Sequence, residues 1–471
     1  MSIKRYICSA DASISNFFKA NLRTRVTSSN FGAADICELF SIYGQASTSS
    51  VETMRILAQF PVSTIVSDRA ANVIPASGSV NFYLRMFNAP HGETLPRQFT
   101  LVVSPVSRSW IEGAGLDLEN GDDISPNGIN GANWLYAASA SAWTTAGGDY
   151  LTSPTASQYF DAGTEDLEVN ITPLVEQWVA SAIPNYGVGV ALSSSHENQA
   201  SSFYTKKFFA RSNEFFYSRP TIEVRWDSST TDDRGRFFIS SSLLDSTDNA
   251  HTIYLYNYVN GQLKNIASVG SGSVYVSVYT SASNGSLVTT TPMPVTGGYV
   301  STGIYSASFA LATTERTVYD VWFSGSAVYH TGSITPIVFD ASNSRATTQK
   351  YITAVTNLKN SYSNNETTRV RLFIRENNWH PNLFSIASEN ITGSVIQNAY
   401  YKVMRTNDQY EVVPFGTGST KHTKLSYDGQ GNFFDFDMSM LEKNYLYEFR
   451  FAYDINGNFE EAKETFKFRI K

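Results

Sequence analysis

Apolar and polar residues alternate with a period of two along most of this chain. Met54, Ile56, Ala58 and Phe60 fall on one side of an extended segment, with Arg55 and Gln59 on the other. Val80, Phe82, Leu84 and Met86 repeat the pattern against Asn81 and Arg85, and Phe99, Leu101 and Val103 continue it. Ile222, Val224 and Trp226 alternate with Thr221, Glu223 and Arg225. Successive side chains of a strand point to opposite faces, so each stretch predicts a half-buried β-strand. The same holds for Val274, Val276 and Val278, and for Val370, Leu372 and Ile374 against Arg369, Arg371 and Arg375. It holds again for Tyr445, Tyr447, Phe449, Phe451 and Tyr453, and for Phe466, Phe468 and Ile470. A single segment reads as helix. After the strand Leu167, Val169, Ile171, Thr172 stands at a capping position and Pro173 at the first helical one. Leu174, Val175, Trp178 and Val179 then share a face at helical spacing, which predicts a short plug over one end of a sandwich.

Breaks between these runs set the domains. Pro184-Asn185-Tyr186-Gly187 is a turn leading into the strand Val188, Val190, Leu192. Residues 227–236 (DSSTTDDRGR) and 340–349 (DASNSRATTQ) are polar and read as linkers. Between them, Asn260-Gly261 predicts a tight hairpin turn after Ile253 to Val259, and Tyr319 to Val328 close the region. Asn456-Gly457 predicts a second such hairpin, and the spacing of Leu441 and Tyr445 resembles the tyrosine corner of immunoglobulin-like sandwiches. The fold class expected is all-β: a jelly-roll-like sandwich over 50–226, then two immunoglobulin-like sandwiches over 237–339 and 350–471. Residues 1–49 lack a strong sandwich pattern. They are expected to be early strands or an arm laid on a neighbouring subunit.

Length and composition narrow the class. A chain of 471 residues suggests about three domains. Hydrophobic residues at 42% against charged residues at 16% supply real cores and exclude general disorder. The 27 tyrosines and 30 phenylalanines favour strands over helices. A net charge of -7 does not call for nucleic acid as a partner, since phosphate binding needs a basic surface. No apolar run approaches the roughly 20 residues of a membrane helix, and the N-terminus lacks an apolar signal core. A membrane partner is therefore not expected, and assembly in the host cytoplasm is. The two cysteines, Cys8 and Cys37, read as reduced thiols.

Catalytic signatures are not found. The histidines at 91, 196, 251, 330, 380 and 422 are scattered and form no His-Glu-x-x-His zinc motif. No nucleophile elbow occurs, and the run Gly416 to Lys421 lacks phosphate-loop spacing. No catalytic residue and no cofactor is assigned. The acidic set Glu112, Asp117, Glu119, Asp122, Asp123 is the one constellation to weigh, because several carboxylates on a loop can hold calcium. Asp117, Glu119, Asp122 and Asp123 are its calcium candidates, with a solvated loop as the simpler reading. Asp454, Asn456 and Asn458 have calcium-loop composition, which the hairpin turn explains as well.

Residues ~50–226 resemble the DNRLRE domain family. The resemblance rests on MRILAQFPVSTI (54–65), Ile74-Pro75 with SGSVNFYLRMFNA (77–89), SPVSRSWIEGAGLD (104–117), Trp143-Thr144 and LEVNITPLVEQWVASAIPNYGVGVAL (167–192). Ala180-Ser181 replace the family's usual glycine region. The resemblance implies a jelly-roll-like sandwich and leaves glycan binding open, since family members sit in extracellular and polysaccharide-active proteins. Trp110, Trp143 and Trp178 read as core aromatics. The whole chain is also similar to structural proteins of marine contractile-tailed, myovirus-type phages. RYICSADASISNFFKANLRTR, STSSVETMRILAQFPV and KKFFARSNEFFYSRPTIEVRWDSSTTDDRG carry that similarity.

Together these readings point to a non-enzymatic virion structural protein, a neck, collar or tail component. Its expected partners are other virion proteins and further copies of itself. A capsid decoration protein and a carbohydrate-binding adhesin are the alternatives, and a depolymerase or lyase is a third class. Aromatic and arginine side chains are enriched at interface cores. Phe208, Phe209, Arg211, Phe215, Phe216 and Tyr217 are therefore the expected subunit interface.

Overall fold

The computed structural model of the protein describes residues 2–116, 131–139, 141–338, 350–377, 393–455 and 457–471. Two units emerge. One comprises Ser2–Asp227 with Gly418–His422, the other Ser228–Thr417 with Thr423–Lys471.

In the first unit the strands follow as β1 (Ile3–Ile7), β2 (Ala10–Ser15), β3 (Ile36–Tyr43), β4 (Val51–Gln59), β5 (Asn81–Met86) and β6 (Phe99–Pro105). A small hairpin, β7 (Tyr136–Ala138) and β8 (Ser141–Ala142), comes next. Then come β9 (Ala156–Phe160), β10 (Leu167–Asn170), β11 (Val188–Leu192), β12 (Phe203–Phe209) and β13 (Thr221–Arg225). One sheet runs β1-β13-β5-β10. The other runs β12-β3-β4-β11-β6-β9, with β2 also on β4. Lettered B to I in chain order, β1, β4, β5, β6, β9, β10, β11 and β13 give sheets B-I-D-G and C-H-E-F, the strand order of a jelly roll. Ile3 lies opposite Arg225 and Ile7 opposite Thr221. Residues 3–43 thus furnish strands of this sandwich, β1 pairing the edge that β13 would otherwise leave open.

The alternation that predicted the strands also fills the core. Phe82, Leu84, Met86, Phe99, Leu101, Ile222 and Val224 are fully buried. A second apolar layer joins Leu57 and Val106 to Trp110, Trp134 and Trp143. The Trp110 indole donates to the Tyr186 carbonyl and the Trp143 indole to the Asn133 carbonyl, both at 2.8 Å. Gly189 lets β11 pass beneath Tyr150, since a Cβ there would lie 2.1 Å from the ring.

Helix α1 (Val62–Ala70) was not anticipated: Pro61 follows the end of β4, and only Val62 and Ile65 of the helix are buried. The expected helix is α2 (Thr172–Val179), burying Leu174, Val175 and Trp178. Thr172 does not cap it; its hydroxyl accepts the Phe82 amide at 2.8 Å and ties the helix to β5 instead. Arg69 of α1 grips Glu176 of α2 through two 2.7 Å hydrogen bonds. A short α3 (Ser194–Glu197) follows β11.

The second unit holds two sandwiches. The first has β14 (His251–Tyr256), β15 (Tyr258–Val259), β16 (Gln262–Leu263), β17 (Val274–Tyr279), β18 (Leu287–Val288), β19 (Thr290–Thr291), β20 (Val295–Ser301), β21 (Ile304–Leu311), β22 (Val318–Ser324) and β23 (Ala327–Ile334). Its strand order is β14-β21-β20-β17-β22-β23. β20 bends between two neighbours: Val295 pairs Val276 of β17, while Gly298 pairs Ser306 of β21. Ile253, Val274, Val276, Val278, Phe309 and Trp322 fill the interior. Asn260 and Gly261 join β15 to β16 with φ of 53° and 76°, the left-handed pair that a tight hairpin turn requires. The closing hairpin runs on to Ile334, beyond the Val328 expected.

The second sandwich has β24 (Tyr351–Val355), β25 (Ser361–Tyr362), β26 (Thr367–Glu376), β27 (Ala399–Arg405), β28 (Tyr410–Val413), β29 (Ser426–Asp428), β30 (Gly431–Asp437), β31 (Leu446–Ile455), β32 (Asn458–Glu461) and β33 (Phe466–Ile470). Its sheets are β24-β26-β30-β29 and β25-β33-β31-β27-β28, with β32 also on β31. Apart from the parallel β25–β33 contact, this is the A-B-E-D and G-F-C-C′ arrangement of an immunoglobulin-like domain.

The polar stretch 227–236 is not a bare linker. Asp232 and Asp233 are buried, and Thr231 forms a bridge with Tyr427. Asp233 accepts the Thr252 amide at 2.8 Å and the Tyr427 hydroxyl at 2.9 Å. Polar composition misled here because each buried carboxylate has donors of its own. The other expected joint, 340–349, lies outside the described residues.

Candidate functional site

The chain after β2 doubles back as a small lobe. Lys19 donates its amide to the Thr24 carbonyl at 2.8 Å, and Val26 to that of Phe17 at 2.9 Å. Asn21 secures the tip, its side-chain oxygen accepting the amides of Arg23 and Thr24, each at 2.9 Å. Beside this lobe, β3, β4 and β12 line a cavity of about 180 Å3. Five aromatic side chains line it: Phe17, Phe18, Phe31, Phe40 and Tyr204. Phe17 stands 6.3 Å from both Phe31 and Phe40, and Phe40 meets Tyr204 edge-on at 5.5 Å. Met54 and Ile42 add apolar lining.

Two carboxylates enter this aromatic enclosure. Glu52 is 1% exposed, and its Oε2 accepts the Phe18 amide at 2.7 Å. The Gln45 amide, turned so that its NH2 donates, reaches Glu52 Oε1 at 2.7 Å. Glu38 accepts the Thr205 hydroxyl at 2.6 Å. Burial pushes both carboxyls above their ordinary range, against the pull of these donors and of Lys207 and Arg25. Lys207 stands 3.8 Å from Glu38 but 2.7 Å from Glu93, to which its charge is chiefly committed. Among the described residues that line the cavity there is no lysine or arginine.

The expected interface residues divide. Phe208 is fully buried, its ring 6.5 Å from Phe160 and 4.7 Å from the Lys206 ammonium, and Tyr217 is 7% exposed. Both belong to the interior of the sandwich. Phe208 is turned inward on β12 and Tyr217 lies in the 216–218 turn, so neither offers a broadly exposed ring. Arg211 is held by Glu112 at 2.9 and 2.7 Å. Phe209 and Phe216 are half-buried, and Phe215, 54% exposed, packs its ring 5.8 Å from Phe209. Of the six, only Phe215 is broadly open to solvent.

The calcium candidates Asp117, Glu119, Asp122 and Asp123 lie outside the described residues, as does Asn456. Glu112 is spent on Arg211. Among the described residues no group of three or more His, Cys, Asp or Glu side chains is placed to hold a metal. Cys8 and Cys37 are free and buried, and the Cys8 thiol donates to the Ala10 carbonyl at 3.0 Å.

Sequence reasoning missed the aromatic cavity. Its aromatic lining comes from positions 17, 18, 31, 40 and 204, which only the fold brings together. The local signal was the doublet Phe17-Phe18, in a region with no strand pattern to bury it.

No family model matches this chain, and no curated protein matches it. Among solved structures it is similar to a marsupial T cell receptor at 9% identity, covering 47% of this chain and 69% of that one, with a TM-score of 0.18. It is similar to the Yersinia pseudotuberculosis adhesin InvE at 11% identity, covering 50% and 56%, with a TM-score of 0.16. The Ig1-2 module of the Drosophila receptor protein tyrosine phosphatase DLAR is matched at 10% identity over 47% and 91%, with a TM-score of 0.15. Likenesses this slight carry no weight for fold or function. The all-β assignment rests on the strand pairing itself.

Proposed function

We propose that this chain is a non-enzymatic structural protein of a tailed-phage virion, a neck, collar or tail component that contacts other virion proteins and copies of itself. The observation that carries the proposal is on the outer face of the 251–334 sandwich. Tyr275 of β17 lies opposite Phe323 of β22, and Phe323 opposite Val328 of β23. Their side chains form an apolar row across three strands. It is 37% exposed at Tyr275 and 61% exposed at Val328. The row ends on β23, the last strand of its sheet, whose sequence AVYHTGSI carries neither proline nor a lysine, arginine or carboxylate. Edge strands that must stay unpaired are ordinarily blunted by such residues. Arg234 reaches the far end of β23, donating to the Ser333 carbonyl at 3.2 Å, but an apolar row running to an edge strand of this composition suits a protein partner. Host cytoplasm is the place of assembly on this reading, and jelly-roll and immunoglobulin-like sandwiches are scaffolds on which such surfaces are displayed.

The test is to purify particles and locate the chain by cryo-electron microscopy. A closed ring of copies at the neck or tail, with β23 against a neighbour, supports the proposal. Absence of the chain from particles sinks it.

A further inference from the structure

We infer that the cavity between the 17–31 lobe and strands β3, β4 and β12 is a binding site for an organic cation, an ammonium or guanidinium group with a short alkyl shell. The inference stands apart from the virion proposal. Its first ground is charge. Glu52 is all but removed from solvent, yet its hydrogen bonds come from neutral donors, the Phe18 and Gln45 amides. Arg25 is the cation that acts on it electrostatically, but that guanidinium is engaged elsewhere. It donates to the Asn16 and Val51 carbonyls at 2.7 and 3.1 Å and lies 4.1 Å over the Phe18 ring. A buried carboxylate without a close ion pair is costly, and a cation placed against it offsets that cost.

The second ground is the walls. The rings of Phe17, Phe31, Phe40 and Tyr204 stand around the same space. Aromatic faces carry negative potential and attract cations when water is excluded. A neutral apolar guest would desolvate Glu38 and Glu52 further with no return, and an anion would be repelled. The third ground is size. At about 180 Å3 the cavity falls below the roughly 300–1,000 Å3 of sites for drug-sized ligands, which fits one cationic head group and not an oligosaccharide. The shared chemistry has two sources, a lysine or arginine side chain of a protein partner and a small free quaternary amine.

The experiment is isothermal titration of the full chain with tetramethylammonium chloride and methylguanidinium chloride. Tert-butanol, N-methylurea and sodium chloride serve as neutral and ionic controls. Saturable binding of either organic cation, absent for all three controls, is the expected result. Glu52→Gln should weaken it by about ten-fold or more. Glu38→Gln serves as a second variant in case the first fails to fold, and circular dichroism checks both. N-acetyl-arginine amide and N-acetyl-lysine amide, set against choline chloride, then separate a protein source from a free amine by which binds more tightly. Equal response to the neutral analogues, no saturable response to any cation, or undiminished binding in a folded Glu→Gln variant would each overturn the inference.

Discussion

Arg234 holds Asp320 through two parallel hydrogen bonds, Nη1 to Oδ1 at 2.6 Å and Nη2 to Oδ2 at 2.7 Å. Asp320 is wholly buried, and the Trp322 indole donates to the same Oδ2 at 2.7 Å. The pair pins the 233–235 turn against β22, which contributes Phe323 to the apolar row. Arg234→Ala would strand a buried carboxylate, so a loss on the order of 3–5 kcal/mol is expected. Arg234→Lys keeps the charge but not the fork and should lose less. Urea denaturation followed by tryptophan fluorescence measures both; equal stability of the alanine variant and the parent would show that Asp320 is not held by this contact.

Lys206 is the cation most deeply set in the jelly roll. Its ammonium donates to Asn88 Oδ1 at 2.6 Å and to the Gly163 and Glu165 carbonyls at 2.8 Å each, between the rings of Phe160 and Phe208. Lys206→Met would leave three acceptors without their donor, at a cost of about 3 kcal/mol. Burial also brings the amine down from 10.5 to about 8. Between those values the unfolded chain binds the proton and the folded one releases it, so this group's contribution to stability rises with pH from about 8 towards 10.5. Melting temperatures of parent and variant from pH 7.5 to 9.5 test this: the parent should gain on the variant as pH rises.

Asp11 works in the opposite sense. Its carboxylate accepts the Arg211 amide at 2.6 Å, but burial, aided by Glu112, pushes its pKa from 3.8 to about 6. Here the folded chain binds the proton more tightly, so the stabilising contribution is full below about pH 4 and is lost as pH rises through 6. Asp11→Asn removes it. The variant should therefore stand better against the parent at pH 7 than at pH 4.5 in thermal melts. The same offset at both values would mean that Asp11 titrates normally.

The strands were legible because burial on one face writes a period of two into the sequence, as Phe82, Leu84 and Met86 show. What resisted reading was polar or aromatic residues placed by pairing across long separations. Residues 3–7 become a strand through β13, more than 200 positions away. Asp233 is buried by partners at 252 and 427. Phe208 looked like a surface aromatic because Lys206, Lys207 and Arg211 surround it in sequence. In the fold Lys206 turns inward with it, while Lys207 and Arg211 are spent on ion pairs. The candidate cavity was the least legible feature, since no local period links positions 17, 31, 40, 52 and 204.

The tyrosine corner was anticipated one step out of place. Spacing suggested Tyr445, but Tyr447, fully buried on β31, donates its hydroxyl to the Glu442 carbonyl at 2.9 Å, five residues upstream. Tyr445 is only half-buried, with its ring 4.9 Å from the Arg405 guanidinium. The difference follows from where the strand starts: Tyr445 precedes β31, which begins at Leu446, whereas Tyr447 lies within it on the inward face with Phe449 and Phe451, and its hydroxyl turns back to the chain that enters the strand. Tyr447→Phe keeps the ring packed on Phe468 and removes the hydroxyl's hydrogen bond to the Glu442 carbonyl. A loss of about 1–2 kcal/mol is expected, with the fold retained. Tyr445→Phe should change stability by less than about 0.5 kcal/mol. Denaturation of both variants decides between the positions: a larger loss for Tyr445→Phe would place the corner where the spacing first suggested.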